Sequence, residues 1–146
     1  MTRVAKWRDL GRPETHARSR IRGVAALIGV EFYHNDMGEH RGSWVVRRAA
    51  KKLPWLINGT GLRVGMTFSS GGIEADDVTS ASPKSVRVIA AIPNLYGDGR
   101  DADMTYYDTP AGAKVFAAGA FSIAGSVWQG HVRQLVTNLW DWMAKD

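Results

Sequence analysis

Four side chains of the types that bind metal ions lie within one short polar segment of this sequence. They are His34, Asp36, Glu39 and His40. Imidazole and carboxylate groups at such short spacing can hold a hard or borderline metal ion. The segment carries no HExxH motif, and its composition is more commonly that of a solvated turn. The sequence therefore offers these four residues as candidate metal ligands, with a solvated loop as the alternative.

A second group of residues could perform acid/base chemistry. Glu74 and Asp76 belong to an acidic cluster in a loop-rich region, and paired carboxyl groups can transfer protons during catalysis. An ion pair with one of the many arginines is the commoner role of such a carboxylate. Tyr106 and Tyr107 are further candidates. Because neighbouring side chains of a strand point to opposite faces, at most one of the two tyrosines can line a site with Glu74 or His34.

Several common types of active site are excluded by what the sequence lacks. It contains no cysteine, which excludes disulfides and thiolate nucleophiles, and it contains no GxSxG nucleophile elbow. The segment Gly59–Gly61 lacks the residues that flank a dinucleotide-binding or phosphate-binding loop, so we interpret it as a turn that requires positive φ. His16 stands alone, and His131 is predicted to lie on the polar face of a helix.

The clearest element that could position these residues is a β-hairpin over Asp101–Ala120. Its first strand, Met104–Asp108, is rich in residues that suit a pleated surface. Thr109–Gly112 places proline second and glycine fourth, as a type I turn prefers. The return strand, Lys114–Ala118, is a nearly unbroken apolar run, which predicts a central strand covered on both faces.

The chain before this hairpin is predicted to form short strands separated by loops. Gly23–Tyr33 is either a buried strand or a helix followed by a strand. Ser43–Arg47 and Ser85–Ile92 are predicted strands, and the second is rich in β-branched residues and is followed by proline. Gly65–Pro83 is rich in turn-forming residues and predicts loops, with one short strand at Ile73–Val78.

One long amphipathic helix is predicted near the C-terminus. Ser126–Gln129 has the form of a capping box, and five large apolar residues recur at helical spacing. They are Trp128, Val132, Leu135, Leu139 and Met143. Short strands, a final hairpin and a single convincing helix favour an α/β or α+β domain that corresponds to part of a doubly wound sheet.

Composition and charge limit the remaining classes. The chain has 146 residues, of which 45% are hydrophobic, as expected of one globular domain. No apolar run approaches the ~18 residues of a membrane helix, and the first residues do not resemble a secretory signal, so we expect a cytoplasmic location. We divide the chain into a basic N-terminal arm, residues 1–22, and a single domain over residues 23–146. The arm carries seven arginines and lysines, but no nucleic-acid-binding motif accompanies them, so nucleic acid is not the expected partner.

Five segments together resemble the C-terminal region of the N,N-dimethylformamidase large (beta) subunit and its relatives. They are Asn58–Leu62, Gly72–Asp76, Ala102–Tyr107, Gly112–Gly119 and Asn138–Trp142. The similarity extends from Gly23 to the C-terminus. It implies a lobe of a glutamine-amidotransferase-like, flavodoxin-like α/β domain. It also implies that this lobe belongs to a larger amide hydrolase, which cleaves small N-substituted formamides with a mononuclear iron.

The same resemblance implies that the iron ligands, which are tyrosines and a glutamate, lie upstream of this chain. No ligand role is therefore transferred to Tyr106, Tyr107 or Glu74. An isolated lobe would leave a sheet edge and a helix face uncovered, so we expect a homo-oligomer or an association with an upstream catalytic half or partner subunit. The candidate residues for that surface are Trp44, Trp55, Trp128, Trp140 and Trp142. The alternative is a non-catalytic assembly module that retains the fold.

Overall fold

The computed structural model describes residues 23–145, so the predicted basic arm and His16 lie outside the described residues. The helices are α1 (Val24–Ile28), α2 (Pro54–Ile57) and α3 (Gly130–Met143). The strands are β1 (Glu31–Asn35), β2 (Arg41–Val46), β3 (Thr67–Asp77), β4 (Arg87–Ile92), β5 (Ala102–Asp108), β6 (Lys114–Ala117) and β7 (Ala120–Phe121). Short 3-10 segments occupy Arg48–Lys52 and Ala124–Ser126.

The strands in residues 23–145 form one sheet in the order β1-β3-β2-β4-β5-β6, and β7 pairs with β3. Every pairing is antiparallel. The prediction of a mixed α and β domain is confirmed, and α+β describes it better than α/β. The flavodoxin-like arrangement is wrong, because that arrangement needs parallel strands joined by long, usually helical crossovers. All pairings here are antiparallel, and the one long helix within residues 23–145 follows the last strand.

The sheet curls back on itself through its last two strands. Only Ala118 and Gly119 separate β6, which pairs with β5, from β7, which pairs with β3. The pairings run from β3 through β2, β4 and β5 to β6, and the chain then connects β6 to β7, which pairs with β3. This closure brings the end of the hairpin against the acidic half of β3.

The predicted hairpin is confirmed, but the position of its return strand is not. β5 and β6 pair from Thr105 opposite Ala117 to Asp108 opposite Lys114, and the Gly112 N–H donates to the Thr109 carbonyl at 2.9 Å. The prediction of a central strand was wrong, because β6 lies at the end of the sheet order and its residues are only half-buried. The strands that are buried are β4 and β5.

The structure decides between two predictions for one segment before β4 and corrects the prediction for another. Gly23–Tyr33 contains a helix followed by a strand, as one of the two alternatives stated. The loop predicted before Ile73 is wrong, because the 11-residue strand β3 occupies Thr67–Asp77. The short strand predicted at Ile73–Val78 is confirmed as the second half of β3. β3 tolerates its glycines because β1, β2 and β7 all pair with it, which supplies backbone hydrogen bonds where side chains supply little.

The C-terminal helix is confirmed, whereas its predicted capping box is wrong. α3 begins at Gly130, and its N-cap residue Gln129 makes no side-chain capping bond. Ser126 lies instead at the end of the 3-10 segment, where its backbone N–H donates to the Ile123 carbonyl at 2.9 Å. The inner face of α3 is buried through Val132, Leu135 and Leu139.

The tryptophans divide between the core and the surface. The prediction that Trp44 belongs to the association surface is wrong, because its side chain is 0% exposed and lies in the core. Trp55 and Trp142 are half-buried and stack with ring centroids 4.7 Å apart. Trp128 and Trp140 are 66% and 75% exposed, so the tryptophan surface predicted from the sequence is limited to these two. None of the helices within residues 23–145 is long and apolar enough to cross a membrane.

Candidate functional site

Two of the predicted pocket residues, Glu74 and Asp76, line one cavity. They lie two residues apart on β3, and the side chains of a strand alternate between its faces, so both point away from the core while Ala75 between them is fully buried. The cavity has a volume of about 340 Å³. Its other walls are Ile28, Phe116, Phe121 and the small residues Ala117–Ala120. We call it the acidic cavity.

The small residues of the acidic cavity allow two strands to meet closely. The Asp76 N–H donates to the Gly119 carbonyl at 2.9 Å. Gly119 has φ +69°, and a Cβ atom there would overlap the backbone carbonyl of Asp103. Glycine at position 119 therefore lets the hairpin end pack directly against the backbone of β5, while its carbonyl binds the acidic part of β3.

The carboxyl groups of the acidic cavity differ from that of their neighbour Asp77 in having no ion-pair partner among residues 23–145. On the opposite face of β3, Arg100 donates to both carboxylate oxygens of Asp77 at 2.8 Å, which is the ion pairing predicted for this cluster. Within residues 23–145, neither Glu74 nor Asp76 forms a salt bridge. Burial raises the pKa of Asp76 to about 6, and the charges of Glu74 and Asp77 add to this effect. Asp76 therefore changes its protonation state close to neutral pH.

The raised pKa of Asp76 predicts that this carboxylate costs stability at neutral pH. Below the unfolded-state pKa, near 3.8, the group is protonated in both states and contributes nothing. Between this value and about 6 the folded state binds more protons, so its contribution to stability falls as pH rises. We expect Asp76→Asn to be more stable than the wild type at pH 7, and the difference to vanish near pH 4.

Urea unfolding from pH 4 to pH 7 measures this difference directly. The matched control is Asp77→Asn, which removes an exposed ion pair and should destabilise the protein by no more than about 1 kcal/mol. A wild type that is more stable than Asp76→Asn at pH 7 would show that the Asp76 carboxylate is stabilised by a cationic partner.

A further carboxyl group, Asp103, was missed by the sequence predictions. It lies on β5 and accepts a hydrogen bond from the Val78 N–H at 3.1 Å, just beyond the end of β3. Burial raises its pKa to about 6, although the Val78 hydrogen bond acts in the opposite direction. The only signal in the sequence is an acidic residue within a strand that is otherwise mostly buried, because its partner comes from a distant segment.

Neither Tyr106 nor Tyr107 lines the acidic cavity. Their side chains point to opposite faces of β5, as predicted. The Tyr106 hydroxyl donates to Asp108 at 2.7 Å and accepts from the Trp142 indole N–H at 2.8 Å. Burial, with the hydrogen bond to Asp108, raises the pKa of Tyr106 to about 12, which is unsuited to a base. The Tyr107 hydroxyl donates to the Leu27 carbonyl at 2.6 Å and so holds α1 against the sheet.

The four candidate metal ligands lie at the junction between β1 and β2. Asp36 accepts hydrogen bonds from the backbone of Gly38 and from the backbone and ring of His40, which closes the loop. The rings of His34 and His40 also contact the ring of Tyr96, with centroid distances of 4.2 and 5.2 Å. Glu39 is an exposed residue of the same loop.

No metal centre results from this arrangement in the part of the chain that the structure describes. Residues 23–145 contain no group of three or more His, Cys, Asp or Glu side chains that could hold a metal ion. The hydroxyl groups of Tyr106 and Tyr107 already bind protein groups. Tyr106 and Tyr107 therefore do not present free hydroxyl groups as iron ligands. His131, the remaining described histidine, lies on the exposed side of α3 as predicted, and its Nδ1 is 2.6 Å from the Thr60 carbonyl.

Comparison with known proteins assigns the chain to a family. No curated protein matches it. Residues 2–132 match the family described as N,N-dimethylformamidase beta subunit-like, C-terminal. The match includes the basic arm and the acidic cavity, and it ends near the start of α3, so the Asn138–Trp142 segment lies outside it. Since the matched region covers most of the sequence, the chain belongs to the N,N-dimethylformamidase beta subunit-like C-terminal family.

Proposed function

We propose that this chain is the C-terminal lobe of an N,N-dimethylformamidase-like amide hydrolase, which acts on small N-substituted formamides. It contributes to catalysis only together with an upstream half or a separately encoded partner. The observation that supports this role is the carboxyl pair Glu74 and Asp76, which faces an open cavity within the family-matched region.

The acidic cavity suits one wall of an amide-hydrolysing pocket. Hydrolysis requires a proton to leave the attacking water and a proton to reach the departing amine nitrogen, and a group that titrates near neutral pH can serve either step. Asp76 has this property. Phe116 and Phe121 supply apolar surface beside the carboxyl groups, which suits the alkyl substituents of a formamide nitrogen.

The need for an upstream half follows from the groups that residues 23–145 do not bring together. Within those residues, no group of three or more His, Cys, Asp or Glu side chains could hold a metal ion. We therefore assign any iron of the complete enzyme to the upstream part, and no step of the reaction is derived through it here.

Reconstitution tests the proposal. This chain is mixed with the upstream half of a family large subunit, and dimethylamine release from N,N-dimethylformamide is measured. We expect hydrolysis by the mixture and none by either part alone. In the mixture, Asp76→Asn should lower kcat about 100-fold, the scale of general acid/base catalysis. Asp77→Asn changes the neighbouring carboxylate on the opposite face and should leave kcat nearly unchanged.

The outcomes separate the two parts of the proposal. A mixture that assembles and hydrolyses the formamide equally well with Asp76→Asn would remove the acidic cavity from the mechanism. Hydrolysis by this chain alone would contradict the need for an upstream half.

A second candidate function, a non-catalytic assembly module, is favoured by the outer surface of α3. Val136, Trp140 and Met143 recur at helical spacing and are all exposed, and Trp128 is exposed just before the helix. Scattered exposed apolar residues are ordinary, but a contiguous set of this kind marks interaction surfaces. A mixture that assembles but hydrolyses no formamide would support this function, through either self-association or binding to the partner.

A further inference from the structure

The acidic cavity carries negative charge that no cationic side chain of residues 23–145 balances. Glu74 and Asp76 are half-buried, and neither forms a salt bridge within this part of the chain. Among the same residues, no lysine, arginine or histidine lines the cavity. Buried charges in proteins are usually paired. A carboxyl pair without a partner on the wall of a cavity therefore favours a positively charged ligand.

The remaining walls of the acidic cavity favour an organic cation over a metal ion. Phe116 and Phe121 line the cavity beside Ile28 and the small residues Ala117–Ala120. Such walls cannot replace the hydration shell of Mg²⁺ or Ca²⁺, which need roughly six oxygen ligands. The negative face of a phenyl ring attracts ammonium cations. Phenyl rings beside carboxylates therefore suit a cation that carries alkyl groups.

We propose that the acidic cavity binds a small alkylammonium cation and holds it more tightly than a neutral molecule of the same size. The identity of the cation rests on the proposed function, because hydrolysis of N,N-dimethylformamide at neutral pH forms formate and dimethylammonium. A dialkylamine is protonated at this pH, as the side-chain amine of lysine is with its pKa of ~10.4. The substrate is neutral, so the charge of the cavity favours the product over the substrate.

The size and charge of the acidic cavity set the expected affinity. Its volume of about 340 Å³ lies at the lower end of the ~300–1,000 Å³ range of ligand pockets. A cation with so few non-hydrogen atoms should bind with a dissociation constant of about 1 mM or weaker. Asp76 becomes charged as pH rises through its pKa of about 6. Binding of the cation should therefore strengthen as pH rises through this value and weaken below it.

Titration of this chain alone with dimethylammonium chloride, followed by amide NMR, tests the binding without catalysis. At pH 8 and constant ionic strength, we expect saturable shifts of the Asp76 and Gly119 amides. The affinity should be at least about fivefold lower at pH 5, where Asp76 is protonated. Isopropanol is the neutral control of similar size, and sodium chloride supplies a cation without alkyl groups. Neither control should produce saturable shifts.

Three variants separate the contribution of the charge from that of the rings. Asp76→Asn should weaken dimethylammonium binding at pH 8 by about tenfold and reduce its pH dependence. Phe121→Leu keeps an apolar side chain but removes the ring, and it should weaken binding by about twofold to fivefold. Phe121 is 59% exposed, so its replacement leaves the core intact. Asp77→Asn removes the neighbouring carboxylate on the opposite face of β3, and it should change the affinity by less than about twofold.

Several results would overturn the proposed cation site. Equal affinity for dimethylammonium and isopropanol would show that charge plays no part. An affinity for dimethylammonium that Asp76→Asn leaves unchanged would place the ligand elsewhere. Calcium chloride that binds the cavity more tightly than dimethylammonium would show a site for inorganic cations.

The cation site and the proposed hydrolysis can fail separately. Dimethylammonium binding by this chain, with no hydrolysis by the mixture with an upstream half, would support the cation site and contradict the proposed function. Hydrolysis by the mixture without saturable binding of dimethylammonium to this chain would support the proposed function and overturn the cation site.

Discussion

Gly119→Ala should be among the most destabilising single substitutions in this chain, with a loss of about 3 to 5 kcal/mol in the free energy of unfolding. Two costs combine at this position. The backbone has φ +69°, a conformation that costs an alanine about 1–2 kcal/mol. The new Cβ would also overlap the backbone carbonyl of Asp103, and backbone atoms cannot move aside as the end of a side chain can. The substitution must therefore separate β7 from β5.

Gly112→Ala is a matched control for Gly119→Ala, because it isolates the first of these costs. Gly112 has φ +86° in the hairpin turn, but nothing lies within 4 Å of a Cβ placed there. Urea unfolding should therefore show a loss of only about 1–2 kcal/mol for Gly112→Ala. Equal losses for the two variants would show that the contact between Gly119 and Asp103 does not limit the fold.

Gly119→Ala also tests the geometry of the acidic cavity. The Asp76 N–H donates to the Gly119 carbonyl, and Gly119 lines the cavity with Asp76. Amide hydrogen exchange at Asp76 should accelerate in Gly119→Ala and remain unchanged in Gly112→Ala, because only the first variant displaces the strand that protects this amide.

Local sequence signals predicted the elements whose residues determine their own conformation. The turn Thr109–Gly112 was recognised because proline and glycine occupy the positions that their φ preferences require. β4 was recognised from its β-branched residues. In both cases a few neighbouring residues determine the backbone conformation, and the tertiary contacts are compatible with that conformation.

Elements that depend on distant partners were predicted only in part. The first half of β3 has a serine and glycine composition that indicates a loop, and it is a strand because neighbouring strands pair with it. Lys114–Ala117 is apolar enough for a central strand, yet the pairing pattern leaves it at the end of the sheet order. Sequence patterns report which residues prefer burial or extension, but they do not report which strand will lie alongside.

The candidate site was predicted only in part, because the sequence does not show which strands lie beside one another. Glu74 and Asp76 were identified from their residue types and spacing. The strand predicted at Ile73–Val78 already places them on one face, but the cavity they line depends on β7 and Gly119, which the sequence does not place beside β3. Tyr106 and Tyr107 were placed on opposite faces correctly, but their hydroxyl partners, Trp142 and Leu27, belong to helices distant in sequence.

Trp44→Ala should destabilise the protein by about 3–5 kcal/mol, the usual cost of removing a buried aromatic side chain. Trp44 is fully buried on β2 opposite Phe68, and Gly71 lies directly against its indole ring. The indole N–H is buried without a hydrogen-bond partner in the described structure. The size of the ring, and not its polar group, is therefore what stabilises the core.

Urea unfolding of three variants tests the role of the Trp44 ring. Trp44→Phe keeps a ring and removes the unsatisfied N–H, so it should lose clearly less stability than Trp44→Ala. Trp140→Ala is the control, and it should change stability by no more than about 0.5 kcal/mol, because Trp140 is 75% exposed. Equal losses for Trp44→Ala and Trp140→Ala at low protein concentration would contradict the assignment of Trp44 to the core. A loss for Trp140→Ala that appears only at high protein concentration would instead indicate an association surface on α3, since stability then depends on protomer concentration.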